Sequence, residues 1–476
     1  MARALLTFLT KDEEDLIHEH SISCLEEQGV LIRSESVLRL LESVGAEVDY
    51  DRQLAKVSED IVKNAIRTAP KEFDLCAREP KNDLRIPAAD TPYAAPTGLA
   101  TYMTDLETGE RRNATRADLA DFARLSDALD AIDFFWTVVV PMDVPYKSHS
   151  VHQLWTSLQN VTKHVQQIEV MDAEDAKTQI ELAGLIVGGK EELRKRPIFS
   201  VVSSPISPMS FEKGLIEAQV ELSRAGIPII CMTGAMLGFT SPVTVAGTIY
   251  VVNVENLASL VISQAAAERS PFVYSSAAAP IDMETGKIAS GPVEGPFLAS
   301  GQSQMARRYG LPCMIGGWAL CNGPKPGVDI SICEASGYSL ELLAGADLIS
   351  GFGLLDDAKG ASLEQLVIDV FTWENWRPFL RNVTVDEQSI AVDVVREVGH
   401  GGTFISHPHT LGNFREALAV RDKSKRAWEA TLSDRMVPEA RAIAKKILSQ
   451  HEVAPLDYSI LEQGDAIIKD YEKRCV

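Results

Sequence analysis

Two histidines in the segment HGGTFISHPHTLGNFRE have the residue type and spacing that most directly suggest chemistry. His407 and His409 alternate, so on a β-strand both side chains would face the same side. A zinc site would need a further ligand such as aspartate or cysteine, and the alternative is a hydrogen-bonded pocket lining beside Asn413 and Arg415. The sequence has no C-x-x-C, H-E-x-x-H or G-x-S-x-G motif, so neither a zinc site nor an esterase nucleophile is otherwise indicated.

Aromatic residues form a second group that could do chemistry, because several fall near the ends of predicted strands. Rings that converge on one pocket favour a cation without exchangeable protons, since the ring face attracts positive charge. For any single ring, packing in the core is the alternative. The residues of this group are Tyr102, Phe135, Trp136, Tyr274, Trp318, Phe352, Phe371 and Trp373.

The stretch from Gly316 to Gly353 is predicted to organise the site. It reads GGWALCNGPKPGVDISICEASGYSLELLAGADLISGFG, which is the order strand end, loop, helix, strand and loop of a parallel α/β unit. Glycines directly after strands allow a ligand or a second backbone to come close. We therefore expect two consecutive strand ends to open onto one site, as in parallel barrels.

The elements around this stretch alternate between apolar strands and amphipathic helices. Strands that are apolar without alternation are buried on both faces, as in parallel sheets. Together they predict a (β/α)8 TIM barrel, an α/β fold, with a doubly wound open sheet as the alternative. The predicted strands are 134–140, 164–170, 198–203, 227–232, 272–275, 313–316 and 347–350, with 97–103 as a possible eighth. The predicted helices between them are 173–187, 210–225, 242–268, 295–308 and 329–343.

The flanking segments are predicted to extend the barrel at both ends. Residues 1–95 are expected to form a helical and irregular extension, residues 96–416 the barrel, and residues 417–476 a helical cover. A β-hairpin is expected at 105–112, and Thr115 with Asp118 three residues later predicts a capped helix start. The extra helices suggest a homo-oligomer.

Composition narrows the class of protein. The net charge of −21 argues against nucleic acid and anionic membranes, which need a basic surface. No run of 18 apolar residues indicates a spanning helix, and early charges at Lys11 and Asp12 exclude a signal-peptide pattern. Seven widely spaced cysteines favour free thiols and a cytoplasmic location.

Several motifs in order resemble the trimethylamine methyltransferase superfamily, and the resemblance covers nearly the whole chain. They are YMTDLETGERRNATRADLADFARLSDALDAIDF, the first half of the barrel, the Gly316–Gly353 stretch and HPHTLGNFRE. The resemblance implies a (β/α)8 barrel that passes a methyl group from a methylated amine to the Co(I) state of a separate corrinoid protein, so the implied cofactor is a partner-bound cobalamin. No D-x-H-x-x-G motif indicates a corrinoid-binding domain in this chain.

The sequence departs from the founding branch of that family, which contains pyrrolysine, because it holds only the twenty standard residues. It therefore resembles members that demethylate quaternary amines, with glycine betaine as the first expectation and proline betaine, carnitine or γ-butyrobetaine as alternatives. A quaternary ammonium leaves as a neutral amine, so transfer to Co(I) needs no general acid, and no catalytic side chain is assigned. A metal-dependent barrel enzyme is a second enzymatic interpretation within the same fold, and the alternative of another class is a non-catalytic betaine-binding or regulatory protein.

The same resemblance suggests which side chains meet the substrate and the corrinoid. Aromatic walls for the ammonium are expected from Tyr102, Trp136, Trp318 and Phe352. A substrate carboxylate is expected to meet Lys325, Arg377 or His407. The corrin side is expected to involve Asn322, Asp329 and His409.

Overall fold

Eight parallel strands form the centre of the computed structural model, which describes residues 3–286, 288, 293–418 and 435–475. Each is short and buried, as the apolar runs predict. The barrel strands are β1 Tyr93–Pro96, β2 Phe135–Trp136, β3 Val165–Gln167, β4 Phe199–Ser203, β5 Ile229–Thr233, β6 Phe272–Ser276, β7 Cys313–Ile315 and β8 Leu348–Phe352. The predicted α/β barrel is therefore confirmed.

The strand order shows how the sheet curls into a nearly closed barrel. The strands pair in the sequence β1, β8, β7, β6, β5, β4, β3, β2, so every neighbour except β1 and β8 is also next along the chain. The remaining gap between β1 and β2 is bridged by Asp133, whose backbone N–H donates to the Ala94 carbonyl at 2.8 Å and whose carboxylate accepts from the Ala94 N–H at 2.8 Å. This order excludes a doubly wound sheet.

The first barrel strand lies earlier than predicted. The segment 97–103 is not a barrel strand, because Tyr102–Thr104 pairs with Arg111–Asn113 and Gly360–Ala361 in a small sheet outside the barrel. Tyr-Ala-Ala-Pro, which forms β1, has small residues and a proline, so its β propensity is weak and tertiary pairing decides. The boundary predicted after residue 95 falls inside β1, and the division into three domains stays a prediction.

Seventeen α-helices are assigned among the described residues, and the five predicted between the strands are present. They are α1 Lys11–Glu27, α2 Glu35–Ser43, α3 Glu59–Thr68, α4 Arg116–Ala128, α5 His149–Asn160, α6 Ala173–Val187, α7 Lys190–Lys195, α8 Lys213–Ala225, α9 Val245–Ala266, α10 Glu294–Tyr309, α11 Ile332–Glu341, α12 Leu363–Trp376, α13 Glu387–Ile390, α14 Val392–Val398, α15 Pro408–Ala417, α16 Met436–Gln450 and α17 Tyr458–Cys475. Short 3-10 helices are Pro80–Asn82, Tyr146–Ser148, Leu342–Ala344 and Arg377–Leu380.

Helix α9 is the most apolar element and lies inside the protein. Its length and composition would suit a membrane span, but 78% of its most apolar window is buried. It packs against α1, α2 and α3 of the N-terminal extension and against α8 and α10 of the barrel. The extension therefore joins the barrel through a shared hydrophobic core.

Small sheets and the last two helices complete the fold. Helix α16 packs on α12 and α4, and α17 packs on α6. The expected hairpin is present, with its strands at Tyr102–Thr104 and Arg111–Asn113. The other short strands are Val30–Ile32, Glu47–Asp49, Leu54–Lys56, Phe73–Leu75, Leu84–Ile86, Ser210–Phe211, Met236–Leu237, Ala279–Pro280 and Leu354–Leu355.

Candidate active site at the barrel mouth

A cavity of about 310 Å³ opens at the carboxyl ends of β6, β7 and β8. Helices α10 and α11 form its outer wall. The stretch predicted to organise the site supplies much of the lining, so its two consecutive strand ends open onto one cavity, and the role of this cavity as the site stays a prediction. Its lining residues from this stretch are Gly316, Gly317, Trp318, Ala319, Tyr338, Glu341, Ser350 and Gly351.

Gly351 explains how the two strand ends come so close. Its φ of +134° lies in a region that residues with side chains rarely adopt, and a Cβ there would lie 1.7 Å from the Trp318 carbonyl oxygen. The backbone N–H of Trp318 donates to the Ser350 carbonyl at 3.2 Å. Direct backbone contact therefore places Trp318 in the cavity wall.

Trp318 is the member of an aromatic cluster that lines the cavity. Its ring stacks on Phe352 with centroids 5.5 Å apart and meets Trp373 edge-on at 5.5 Å. Phe352 and Trp373 are fully buried, and neither lines the cavity. Trp318 therefore presents its surface to a ligand, while the other rings hold it in place.

A buried carboxyl supports the end of β8 behind this cluster. Asp369 accepts hydrogen bonds from the Gly353 N–H at 2.7 Å and from the Gln365 amide at 2.9 Å. Complete burial raises the pKa of Asp369 to about 7, because the charged form is poorly solvated there. This carboxyl is committed to backbone and side-chain partners, so its role is to hold the loop after β8.

Glu341, at the end of α11, is the ionisable acid that sequence reasoning missed. Its carboxylate lines the cavity and forms no hydrogen bond or ion pair with any described residue. Burial raises the pKa of Glu341 to about 7. In the run Ser-Leu-Glu-Leu-Leu, Glu341 has the pattern of a solvated helix residue, and only the packing of α11 against α10 reveals its position.

Glycines on two neighbouring elements make room for this carboxylate. A Cβ at Gly295, in the first turn of α10, would lie 2.1 Å from one Glu341 oxygen. A Cβ at Gly317, directly after β7, would lie 3.4 Å from the other. Tyr338, one turn earlier on α11, lines the same cavity and is 8% exposed. An unpaired acid with Trp318 and Tyr338 can receive an organic cation.

Comparison with known proteins assigns the chain to a family. The sequence profile described as Trimethylamine methyltransferase (MTTB) matches residues 2–474. This chain belongs to the trimethylamine methyltransferase family. The resemblance read from the motifs is therefore confirmed.

Relatives of this family member carry two different substrate names. It is 30% identical over 470 residues to the trimethylamine methyltransferase MttB of Desulfitobacterium hafniense strain DSM 10664 / DCB-2, covering 98% of this chain and 94% of the relative. It is 28% identical over 471 residues to a glycine betaine methyltransferase of Desulfitobacterium hafniense strain Y51, covering 97% and 96%. Named relatives are thus methyltransferases, and their substrates differ.

A solved structure of similar fold supports the architecture of the family member. The monomethylamine methyltransferase MtmB of Methanosarcina barkeri superposes with a TM-score of 0.51 over 93% of each chain. The sequences are 13% identical, so this likeness concerns the fold alone.

Two of the predicted aromatic residues lie away from the cavity of this methyltransferase family member. Tyr102 belongs to the small outer sheet, where the Arg111 guanidinium lies 4.2 Å from its ring centroid. Trp136 is buried inside the barrel with Phe134, Met314 and Leu348. Neither residue lines the cavity, and Trp318 is the one predicted aromatic residue that does.

The three residues expected to meet a substrate carboxylate also lie elsewhere. Lys325 is exposed in the loop after β7. The Arg377 Nε donates to the Thr91 hydroxyl at 3.3 Å, just before β1. His407 pairs with Glu397 at 3.2 Å. None of the three belongs to the lining of the cavity.

His407 and His409 lie at the start of a helix and not on a strand, so their side chains do not share one face of a sheet. His407 caps α15, its Nδ1 accepts the His409 backbone N–H at 3.1 Å, and His409 lies exposed in the first turn. Pro408 stands at the first helical position, which its fixed φ favours. Among the described residues no group of three or more His, Cys, Asp or Glu could hold a metal ion.

The residues expected on the corrin side organise the loop after β7. Asn322 donates from its amide to the Glu334 carboxylate at 2.8 Å, and its backbone N–H donates to the Asp329 carbonyl at 3.2 Å. Asp329 itself is exposed. These contacts connect the loop to the start of α11, and a role toward a corrinoid stays a prediction for Asn322, Asp329 and His409.

Proposed function

We propose that this chain moves a methyl group from a quaternary amine to the Co(I) corrinoid of a separate partner protein. The observation that carries the proposal is the cavity at the barrel mouth, where Trp318 and Tyr338 accompany the unpaired Glu341 carboxylate. Aromatic faces and a carboxylate complement an organic cation. A barrel enzyme of this family would bind its amine at this end of the strands.

The reaction requires little of the protein beyond binding the amine and orienting its methyl group. A quaternary nitrogen already carries a full positive charge, so the methyl–nitrogen bond breaks with its electron pair going to nitrogen and a neutral tertiary amine leaves. The Co(I) corrinoid, which is a co-substrate, supplies the electron pair for the new bond. No proton is transferred, so the cavity must only desolvate the cation and hold one methyl group toward the mouth.

The surface around the mouth supports access by a corrinoid partner. Phe239 and Val243 follow β5, Met283 follows β6, and their exposed fractions are 75%, 71% and 77%. Val243 and Met283 lie together, each about 3.5 Å from the position that a Cβ on Gly238 would take. We call Phe239, Val243 and Met283 the rim patch. An apolar rim on an acidic protein fits contact with an apolar partner surface.

The choice of a quaternary amine is supported by two further points. The chain lacks pyrrolysine, and one relative is a glycine betaine methyltransferase. Glycine betaine is therefore the first candidate suggested by family, with proline betaine, carnitine and γ-butyrobetaine behind it. All seven cysteines are free thiols, which supports a cytoplasmic location.

A spectroscopic assay tests the reaction. The protein is mixed with a Co(I) corrinoid protein or free Co(I) cobalamin, and glycine betaine, choline, carnitine or trimethylamine is added separately. We expect methyl-Co(III) to form with a quaternary amine and not with trimethylamine. A ligand that binds but never methylates a competent corrinoid would instead indicate a non-catalytic binding protein.

Rim variants separate amine binding from partner docking. Phe239→Asp and Met283→Asp are expected to slow methyl transfer to a corrinoid protein at least about tenfold, because they place charge in an apolar contact. Amine binding, measured by calorimetry, is expected to stay unchanged. Equal transfer rates in these variants would contradict docking at the rim patch.

A further inference from the structure

We propose that Glu341 restricts the substrate to quaternary ammonium compounds without an anionic group, such as choline or tetramethylammonium. The inference rests on the proposed function and narrows its substrate class. It reverses the preference that family resemblance suggests, because betaines carry a carboxylate. The argument comes from the charges and the free hydrogen-bond donors of the cavity.

The ionisable side chain that lines the cavity is acidic, so the lining can carry only negative charge among the described residues. Among the described residues that line the cavity, Glu341 is the one acidic side chain, and no lysine, arginine or histidine lies with it. A betaine would bring a second carboxylate into about 310 Å³ beside Glu341. Two like charges at short range disfavour each other strongly where water is scarce. A cation without an anionic group is attracted by the Glu341 carboxylate and brings no group that this carboxylate repels.

Two polar side chains of the lining, Ser276 and Gln302, already have hydrogen-bond partners within the protein. The Ser276 hydroxyl donates to the Thr233 carbonyl and accepts the Ala278 N–H. The Gln302 amide donates to the Met314 carbonyl at 3.0 Å. These two side chains are already engaged, and the described lining offers a substrate carboxylate no positive charge, so its hydration would be replaced only in part. A ligand with a hydroxyl group in place of the carboxylate, or with no polar group, loses less hydration on entering the cavity.

The position of Glu341 is built into three elements. Its oxygens lie against Gly295 on α10 and Gly317 after β7, while the residue itself ends α11. A side chain at Gly295 would displace the carboxylate or be displaced by it, whereas one at Gly317 would touch the carboxylate and strain the backbone, whose φ is +118°. Lys325, Arg377 and His407, the cations expected to hold a betaine carboxylate, lie outside the cavity. The cavity therefore recognises the ammonium end of a ligand alone.

Calorimetry at pH 8 with the full chain tests this inference without any corrinoid. The probes are tetramethylammonium chloride, choline chloride, glycine betaine and γ-butyrobetaine. We expect the two simple cations to bind at least about tenfold more tightly than the two betaines. In Glu341→Gln the affinity for tetramethylammonium should fall about tenfold, and the preference over glycine betaine should narrow.

Two further variants serve as controls for the binding measured with Glu341→Gln. Glu268→Gln makes the same change at an exposed site after α9 and should leave every affinity unchanged. If Glu341→Gln does not fold, Glu341→Asp preserves the charge and should preserve the preference with weaker binding. Tighter binding of glycine betaine by the unaltered protein, or an unchanged ratio in Glu341→Gln, would overturn the inference.

Two further outcomes have distinct meanings. A preference for the simple cations that stays undiminished as the pH falls through 7 would show that the Glu341 charge does not set it, and would also overturn the inference. The Co(I) assay is then run with the same probes. If simple cations bind preferentially but no amine methylates the corrinoid, the proposed function fails while the binding preference stands.

Discussion

At the level of single residues, Glu341 is expected to make ligand binding depend on pH near neutrality. Burial raises its pKa from an ordinary 4.5 to about 7, so the carboxyl is neutral below that pH and charged above it. We expect the affinity for tetramethylammonium to rise up to about tenfold per pH unit below pH 7 and to level off above it. Calorimetry between pH 5.5 and 8.5 measures this profile.

The Glu341→Gln variant isolates this effect from other buried acids. Burial also raises the pKa of Asp369 and of Glu255 to about 7, so both titrate over the same range. Neither lines the cavity. The variant should therefore lose the pH dependence of binding, and a variant that keeps the original slope would assign it to one of the other acids.

Gly351 is a position at which adding a single methyl group should destabilise the folded protein. Gly351→Ala places a Cβ against the Trp318 carbonyl with a strained φ, and we expect the free energy of unfolding to fall by about 2 kcal/mol or more. Urea denaturation measures the change. Gly316→Ala is the control, because nothing lies within 4 Å of the added Cβ. Equal stability of the two variants would contradict the close approach.

At the level of elements, the start of α4 shows how far local sequence rules reach. The capping box predicted from Thr115 and Asp118 is present, with the Thr115 N–H donating to the Asp118 carboxylate at 2.8 Å. The structure adds Arg112, which donates to both Asp118 oxygens at 2.6 and 2.7 Å. The cap therefore also connects the helix to the outer hairpin.

Substitutions at this cap should lower the free energy of unfolding by different amounts. Thr115→Ala removes one capping hydrogen bond and should lower the free energy of unfolding by about 1 kcal/mol. Asp118→Ala also leaves Arg112 without its bidentate partner and should cost about 2–3 kcal/mol. Chemical denaturation compares them with Asp118→Asn, which keeps a capping oxygen and should lie between. An equal cost for all three would exclude a contribution from Arg112.

Other elements show where local rules fail. Strands β2–β8 were predicted because continuous apolar runs are typical of strands buried on both faces. Strand β1 was missed, since Tyr-Ala-Ala-Pro becomes a strand only by pairing with β8. The alternation of His407 and His409 would align them only on a strand, whereas Pro408 between them starts helix α15.

At the level of the whole molecule, the segment 379–418 leaves an unusual apolar surface. No described side chain of α13, α14 or α15 is buried. A segment with so many exposed apolar groups is typical of an interface. Its exposed large hydrophobic residues are Phe379, Val383, Val385, Ile390, Val392, Val395, Phe404, Ile405, Leu411, Phe414 and Leu418.

We expect copies of the chain to associate through this surface and so to form the predicted homo-oligomer. Light scattering after size exclusion should give a mass above the 52.0 kDa of one chain. Ile405→Asp combined with Val385→Asp should shift the protein toward the monomer, because both residues are exposed on the segment. Leu16→Asp, at an exposed site on α1, should not. A monomeric unaltered protein at micromolar concentration would contradict this prediction.

The sequence by itself determined the barrel class, most of its strands and helices, and the stretch that forms the mouth. These follow from patterns of neighbouring residues, since burial on two faces and helix capping leave periodic or local traces. The family, too, could be read from motifs spread along the chain.

Tertiary structure alone decided which side chains meet in the cavity. Of the residues predicted to bind substrate, Trp318 lines it, while Tyr102, Trp136 and Arg377 lie apart. Glu341 and Tyr338 lie in a helix of ordinary sequence, and their place in the cavity wall appears only when α11 packs against α10. Contact between elements far apart in sequence depends on barrel closure and on small residues such as Gly295, Gly317 and Gly351, and no local pattern encodes it.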